Sequence, residues 1–454
     1  MSVRAIIDRL KNKNILLLGF GKEGESSYDF IRKYLPQVPV TVADRNNITD
    51  TAIFANDPHT RLLIGENYLN TINDYDIVLK SPGISLKNII NSLDKNKISS
   101  QTDLFLQAFS PQCIGVTGTK GKSTTASFIY HILKYLQKDT LLAGNIGIPL
   151  FDIVEDVTPD TKIVLELSSH QLEFTRKAPH ISILLNLFEE HLDHYNNLLD
   201  YQQAKFNIAR YQSEKDYFIY NTTDISIANL LKTNEIASHL VGFSLFAEKS
   251  SKVYTKNQYF YKNEEKICEI TSDFPLKGEH NLANTAAVIA TVDCLEDIDT
   301  SQIRNAIYSF KGLPHRLEFV GEFDGILFYN DSISTVPQAS IAAVQALKNV
   351  NTIILGGFDR GIDYQPLIDF LKNSEIENII FTGEAGKRML SLSNSLKNKH
   401  LFFENSYPEI VALAKKHTKK GSICLLSPAA ASYDQFRNFE HRGNVFRELV
   451  KKIH

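Results

Sequence analysis

Residues 114 to 124 read Ile-Gly-Val-Thr-Gly-Thr-Lys-Gly-Lys-Ser-Thr, a β-type run that breaks into a glycine-punctuated loop ending in Gly121-Lys122-Ser123-Thr124. Loop amides and the N-terminus of a following helix attract anions. A lysine there reaches terminal phosphate oxygens, and the hydroxyl beside it can ligate Mg2+. Ala126, Ile129, Leu133 and Leu136 recur at helical spacing, so the strand, loop and helix that a phosphate loop needs are all present. The strict spacing of such loops is not met. Val116 stands five residues before Gly121, and Gly115 comes one residue too early, which makes this a divergent phosphate loop.

A chain of 454 residues is too long for one ordinary core and, at ~150 residues per domain, suggests about three domains. With 43% hydrophobic and 22% charged residues it reads as globular, and a net charge of -3 with no basic run argues against nucleic acid or acidic lipid as partner. Cys113, Cys268, Cys294 and Cys424 are scattered without a C-x-x-C pair, and no secretory apolar region is readable. They are expected to be reduced thiols of a cytoplasmic protein. No apolar stretch approaches the ~20 residues of a membrane span, so no membrane insertion is expected.

The first segment, 1–110, opens with a strand at Asn14 to Leu18, then Gly19-Phe-Gly21-Lys-Glu-Gly24, a helix to about Leu35, a strand from Val38 to Val42 ending at Asp44, and a third at Asp76 to Leu79 running into Ser81-Pro82-Gly83. A G-x-G-x-x-G loop with an acid about 20 positions on is the spacing of a dinucleotide fold, but that turn serves any pyrophosphate able to approach a glycine backbone. The second segment, 111–312, adds strands at Ile163 to Leu167 and Ile181 to Leu187, hairpins within Tyr217 to Ile270, and a helix from Asn281 to Cys294. The third, 313–454, alternates strands at Ile326 to Tyr329, Thr352 to Leu355, Asn378 to Phe381 and Ser422 to Leu426 with helices. The fold class is therefore α/β: a Rossmann-like N-terminal domain, a central mononucleotide-binding sheet and a Rossmann-like C-terminal domain.

Glu166 ends an apolar strand, where α/β sheets place ligands and where a carboxylate is costly without a partner. A metal would supply one; the alternative is a strand-end glutamate capped by Ser168 or Ser169. The next strand leads into Glu189-Glu190-His191-Leu-Asp193-His194. Mixed imidazole and carboxylate ligands suit Mg2+ or Mn2+ on a nucleotide better than a closed zinc site. One imidazole is expected to be functional and the other to lie at the surface. Lys205 alone, on a helix, reads as a solvated lysine.

Together these residues resemble the Mur ligase family along the whole chain. Gly118-Thr119-Lys120-Gly121-Lys122-Ser123-Thr124 is similar to its phosphate loop, Gly144-Asn145-Ile-Gly147 to its substrate loop and Glu166-Leu-Ser-Ser to its metal glutamate. Glu190-His191-Leu-Asp193, Gly278-Glu-His-Asn281, Gly312-Leu-Pro-His315-Arg316 and Asn330-Asp331-Ser332 follow in the family's order. Ser81-Pro82-Gly83 and the run Ser427 to Gly443 look most like the branch that adds glutamate to UDP-N-acetylmuramoyl-L-alanine.

The resemblance implies an ATP-dependent, amide-forming ligase of peptidoglycan precursor synthesis that works through an acyl phosphate, as a monomer. It implies that Gly21, Lys22, Glu23, Asp44, Arg45, Ser81 and Asn145 meet the UDP-substrate. Asn281, Asn284, His315, Arg316 and Asp331 would join the phosphate loop at ATP. Thr335, Arg360, Ser432 and Phe439 would meet glutamate. Two Mg2+ ions are implied, one on Ser123 and Glu166, the other on His191 and a carbamate of Lys205; Lys122, His191 and Lys205 would be catalytic.

Two departures bear on the amino acid. Where the D-glutamate enzymes usually read Ser-Lys-Ala-Thr-Asn after the Asn-Asp pair, this chain has Ser332-Ile-Ser-Thr335-Val336, and Arg360 replaces a usual lysine. A guanidinium grips a carboxylate with two prongs where lysine offers a point charge. Lys120, Gly21 to Gly24, Ser332 to Thr335 and Asp359 to Gly361 look closer to a branch that adds L-glutamate, so the enantiomer stays open. A folylpolyglutamate-type ligase would lack the UDP-binding unit. An NAD oxidoreductase would leave Lys122, Glu166 and His191 without a task.

Overall fold

The computed structural model describes residues 3–452 apart from 49–51, 55–56, 191–192, 273, 296–297 and 299–301. The chain forms two compact units, one of residues 1–272 with 283–307, the other of residues 273–282 with 308–454.

The first unit holds two sheets. In the five-stranded one, β1 (Ile15–Leu18), β2 (Val40–Asp44), β3 (Thr60–Ile64), β4 (Ile77–Lys80) and β5 (Ile98–Ser99) are all parallel in the order β3-β2-β1-β4-β5. Strand order reverses between β1 and β4, which opens a crevice at their carboxyl ends. β1, β2 and β4 are buried along their whole length, as continuous apolar runs covered on both faces should be. β3 was not readable from the sequence, because this partly exposed strand interrupts its apolar residues with Arg61.

The second sheet has nine strands: β6 (Cys113–Thr117), β7 (Thr140–Gly144), β8 (Lys162–Glu166), β9 (Ile181–Leu184), β10 (Tyr217–Asn221), β11 (His239–Phe243), β12 (Ser251–Lys256), β13 (Tyr259–Lys262) and β14 (Glu265–Glu269), in the order β14-β13-β12-β11-β10-β9-β6-β8-β7. β10, β11 and β12 extend the parallel sheet, β13 runs antiparallel to β12, and β14 in turn runs antiparallel to β13. This corrects the expectation of appended hairpins across the whole of 217–270. β9 stops at Leu184, three residues short of the expected Leu187, because Leu185 and Asn186 turn away to hold the phosphate loop.

The second unit carries β15 (Glu318–Phe323), β16 (Ile326–Asn330), β17 (Val350–Gly356), β18 (Asn378–Thr382), β19 (His400–Phe403) and β20 (Ile423–Leu426), ordered β15-β16-β20-β17-β18-β19 with only β15 antiparallel. Its core is Ile353, Leu355, Ile379, Phe381 and Leu425 under the flanking helices. In each of the three sheets a parallel strand ends at or just before a residue that the sequence marks as chemistry-bearing: Asp44 on β2, Glu166 on β8 and Asp331 after β16.

Candidate active site

Beyond β6 the chain turns through Gly118 and Gly121, both at positive φ, into the helix Lys122–Tyr135. A side chain at Gly121 is strained by its φ of +88°, and its Cβ would stand 2.5 Å from Asn284 Oδ1, which would have to move. Asn284, expected near the adenine, is buried against this turn. The loop is fixed from the strand beside it. Asn186 Oδ1 accepts from the Lys120 amide at 2.8 Å and its Nδ2 donates to the Lys120 carbonyl at 3.0 Å. Thr119 Oγ1 lies 2.8 Å from the Tyr201 hydroxyl and accepts from the Phe188 amide at 2.9 Å. The outward-facing Lys120 pairs with Glu190 at 2.6 Å.

Lys122 folds over the loop, its Nζ donating to the carbonyls of Gly118 and Thr119, each at 3.0 Å. Lys205, from the helix Leu198–Arg210, reaches the same Gly118 carbonyl at 2.9 Å and is 2% exposed. Lys205 is therefore not one of the solvated helix lysines that are the commoner case. Burial, and then the charge of Lys122, hold its pKa well below the ordinary lysine value.

Glu166 is the last residue of β8, in register with Val116 of β6 and Gly144 of β7. Its Oε1 accepts from Asn145 Nδ2 at 2.8 Å, whereas its buried Oε2 has no hydrogen-bond partner among the described residues. Ser168 does not cap it; that side chain instead accepts from the Gln171 amide and starts the helix Ser169–Leu172. A buried carboxylate oxygen with vacant lone pairs, at the strand end beside the phosphate-loop strand, fits a hard cation shared with phosphate oxygens. Ser123, half-buried in the first turn of the phosphate-loop helix, offers a hydroxyl from the loop side. Among the described residues no group of three or more His, Cys, Asp or Glu side chains forms a closed metal site. His191 lies outside the described residues. His194, expected at the surface, is buried: Nε2 is 3.2 Å from Glu173 Oε2 and its ring lies 4.0 Å from that of His170.

At the crevice of the first sheet, Gly24 packs so closely that a Cβ would lie 2.2 Å from the Gly19 carbonyl, onto which Ser81 Oγ also donates at 2.8 Å. Asp44 accepts from the amides of Phe20 and Asn46, each at 2.8 Å, and so closes the loop after β1. Gly21 and Lys22 are exposed at the start of the helix Lys22–Tyr34. Arg45 pairs with Glu66 at 3.1 Å. Glu23 is turned inward to accept from Gln171 Nε2 at 2.5 Å, and burial raises its pKa. Asn145, also expected at the UDP-substrate, donates to Glu166 Oε1.

In the second unit, His315 adopts φ +62° and its Nδ1 accepts from Asn330 Nδ2 at 2.9 Å, which fixes the ring. Burial lowers its pKa. Arg316 follows it, half-buried, and its charge helps lower the pKa of His280, after burial. Asn281 Nδ2 donates to the Lys277 carbonyl at 2.8 Å. Asp331, buried at the end of β16, accepts from Ser334 Oγ at 2.5 Å, Ser427 Oγ at 2.8 Å and the Leu317 amide at 3.1 Å. Burial nonetheless raises its pKa to about 6. From the unfolded value of 3.8 up to about 6, the folded chain keeps a proton that the unfolded chain has lost. Stability from this group therefore falls as pH rises through that window, by about 3 kcal/mol at most. Asp331→Asn is expected to remove that slope; thermal melts from about pH 4 to 7 with the same slope in both proteins would contradict it.

Arg360 Nη2 donates to the Thr335 carbonyl at 2.8 Å, bringing together two residues expected at glutamate. Asp359 beside it is clamped by two bonds from Arg388, at 2.6 and 2.7 Å. Ser432 is buried on the loop after β20, adjoining Ala431, which bridges to Phe358. The Phe439 carbonyl accepts from Ser332 Oγ at 2.8 Å. Sequence reasoning missed the residue that ties these loops together. Arg442, 1% exposed, donates to Ser332 Oγ at 3.0 Å and to the carbonyls of Ser332 at 2.8 Å, Ala430 at 3.1 Å and Ala431 at 3.2 Å. A signal was present: Asn438 opens the helix Phe439–Lys451 as N-cap, which places Arg442 one turn in, facing the sheet.

These sheets define an ATP-handling α/β enzyme with a phosphate loop and strand-end carboxylates. The chain matches the Mur ligase middle domain over residues 116–292 and the Mur ligase glutamate ligase domain over residues 315–430. It is 32% identical to a UDP-N-acetylmuramoylalanine–D-glutamate ligase of Clostridium kluyveri and 31% identical to one of Clostridium novyi, each over 98% of both chains. Its fold matches the UDP-N-acetylmuramate-alanine ligase MurC from Thermotoga maritima with a TM-score of 0.58, at 20% identity, over 97% of this chain and 99% of that one. The chain belongs to the Mur ligase family, the ATP-dependent ligases of peptidoglycan synthesis. No helix among the described residues is long and apolar enough to cross a membrane.

Proposed function

We propose that the enzyme joins glutamate to UDP-N-acetylmuramoyl-L-alanine, with residues 1–110 receiving the UDP moiety, 111–312 holding ATP, and 313–454 receiving glutamate and part of the nucleotide. The observation that carries this reading is that the phosphate loop has two lysines, Lys122 and Lys205, on its Gly118 carbonyl, while the neighbouring strand ends in Glu166, whose buried Oε2 has no partner among the described residues. A nucleotide hydrolase has no need of the second, buried lysine.

The alanine carboxylate attacks the γ-phosphorus of ATP and ADP departs, leaving an acyl phosphate. The glutamate amine then adds to the acyl carbon, loses a proton, and phosphate leaves as the amide forms. Lys122 meets the charge moving onto the transferred phosphoryl oxygens. Mg2+ held by Ser123 and Glu166, and a second ion on His191 and the Lys205 carbamate, would supply charge neutralisation at those oxygens. A buried, uncharged Lys205 amine is the form that adds CO2, releasing one proton to become an anionic carbamate.

D-glutamate is the first reading, supported by the names of the near-full-length relatives. L-glutamate is the second, favoured by Arg360: its guanidinium, held at the Thr335 carbonyl, presents a two-pronged carboxylate contact where those enzymes usually have lysine. Phosphate release from ATP, measured with UDP-N-acetylmuramoyl-L-alanine and either enantiomer, separates the two. Release is expected with one enantiomer only; none with either would sink the ligase reading.

A further inference from the structure

Lys80 is the last residue of β4, beside Ser81 at the mouth of the first crevice, yet it is 3% exposed and its Nζ points away from solvent to Glu173 Oε2, 3.2 Å off. A buried ion pair is weak support for stability, because desolvation offsets the attraction, but it fixes geometry well. The same Glu173 oxygen meets His194 Nε2 at 3.2 Å. The segment after β4 grips the same place through main-chain contacts: Ser85 Oγ donates to the His194 carbonyl at 2.9 Å, and Lys87 Nζ to that of Asp193.

From His194 the contacts continue without a gap. Its ring centroid is 4.8 Å from that of Tyr195, which lies 5.7 Å from Tyr201 in an edge-on arrangement. The Tyr201 hydroxyl ends the chain, 2.8 Å from Thr119 Oγ1 in the phosphate loop. Tyr195 and Tyr201 are both buried, so a shift at one end has few ways to dissipate before reaching the other.

We propose that the chain Lys80, Glu173, His194, Tyr195, Tyr201, Thr119 couples the crevice of the first sheet to the phosphate loop, so that a ligand in either site tightens binding at the other. Glu173 and Tyr195 are positioning residues in this scheme and touch neither ligand. The proposal rests on the reading that the crevice takes the UDP moiety. Contiguity alone does not establish coupling; a measured interaction between the two sites does.

The test uses the full chain and adenylyl imidodiphosphate with Mg2+, whose dissociation constant is measured with and without saturating UDP-N-acetylmuramoyl-L-alanine. In the unaltered protein the UDP-substrate is expected to tighten the analogue by about fivefold or more, and the analogue to tighten the UDP-substrate by the same factor. Glu173→Gln and Tyr195→Leu should bring that factor to within about twofold of unity, with each ligand alone bound within about threefold of the unaltered protein. Tyr195→Phe keeps the ring and should keep the factor. A purely structural role would lower the melting temperature and leave the factor unchanged. Full coupling in both Glu173→Gln and Tyr195→Leu, or a factor of one in the unaltered protein, overturns the proposal. No binding of the UDP-substrate at all would remove the reading of the crevice, and the proposal with it.

Discussion

Replacing Lys122 by alanine lowers kcat for phosphate release by about a thousandfold or more, with the chain still folded. The expectation follows from where the ammonium sits. It folds over the loop onto the carbonyls of Gly118 and Thr119, acceptors that an incoming phosphate can replace with its own oxygens. Charge builds on the transferred group in the transition state more than in the ground state, so the loss should fall on kcat more than on the KM for ATP. Lys122→Arg should recover little, because a planar fork cannot replace a compact charge within a turn that Asn186 and Thr119 hold tight. The variant also removes a like charge that lowers the Lys205 pKa, so that pKa should rise. Steady-state phosphate release with melting curves decides the matter; activity within about tenfold of the unaltered protein would take Lys122 out of the chemistry.

Lys122 and Glu166 were readable in advance because their chemistry is local: a glycine turn after an apolar strand, and an acid at the end of one. The sheets were readable for the same reason, since buried parallel strands are continuous apolar runs such as Ile15–Leu18 and Ile423–Leu426. What escaped depends on partners distant in sequence. Arg442 gathers loops up to 110 residues away, and nothing within its own helix shows that all its contacts are carbonyls and a hydroxyl. His194 looked solvated among acids and asparagines, but Glu173 and the ring of His170 bury it. β7, β15 and β19 were missed because they are short or partly exposed, so their hydrophobic signal is weak.

Lys205 was the least legible residue of all, a mid-helix lysine whose burial is decided by tertiary packing, and its replacement carries the second large prediction. Lys205→Ala should lose activity by about a hundredfold or more, with no recovery on adding bicarbonate. The unaltered enzyme, depleted of CO2, should regain activity when bicarbonate is supplied. The asymmetry is the informative part. A lysine that merely braced the Gly118 carbonyl would leave the unaltered enzyme indifferent to CO2, whereas an amine kept uncharged by burial is reactive toward it. Alanine also leaves a void lined by Tyr201, whose ring lies 5.0 Å from Nζ, and by the phosphate loop. Formate or acetate entering that void should restore part of the activity, because each returns a carboxylate to the place of the carbamate. Full activity in Lys205→Ala, or no response of the unaltered enzyme to CO2 depletion, would remove the carbamate from the mechanism and leave Lys205 a brace for the loop.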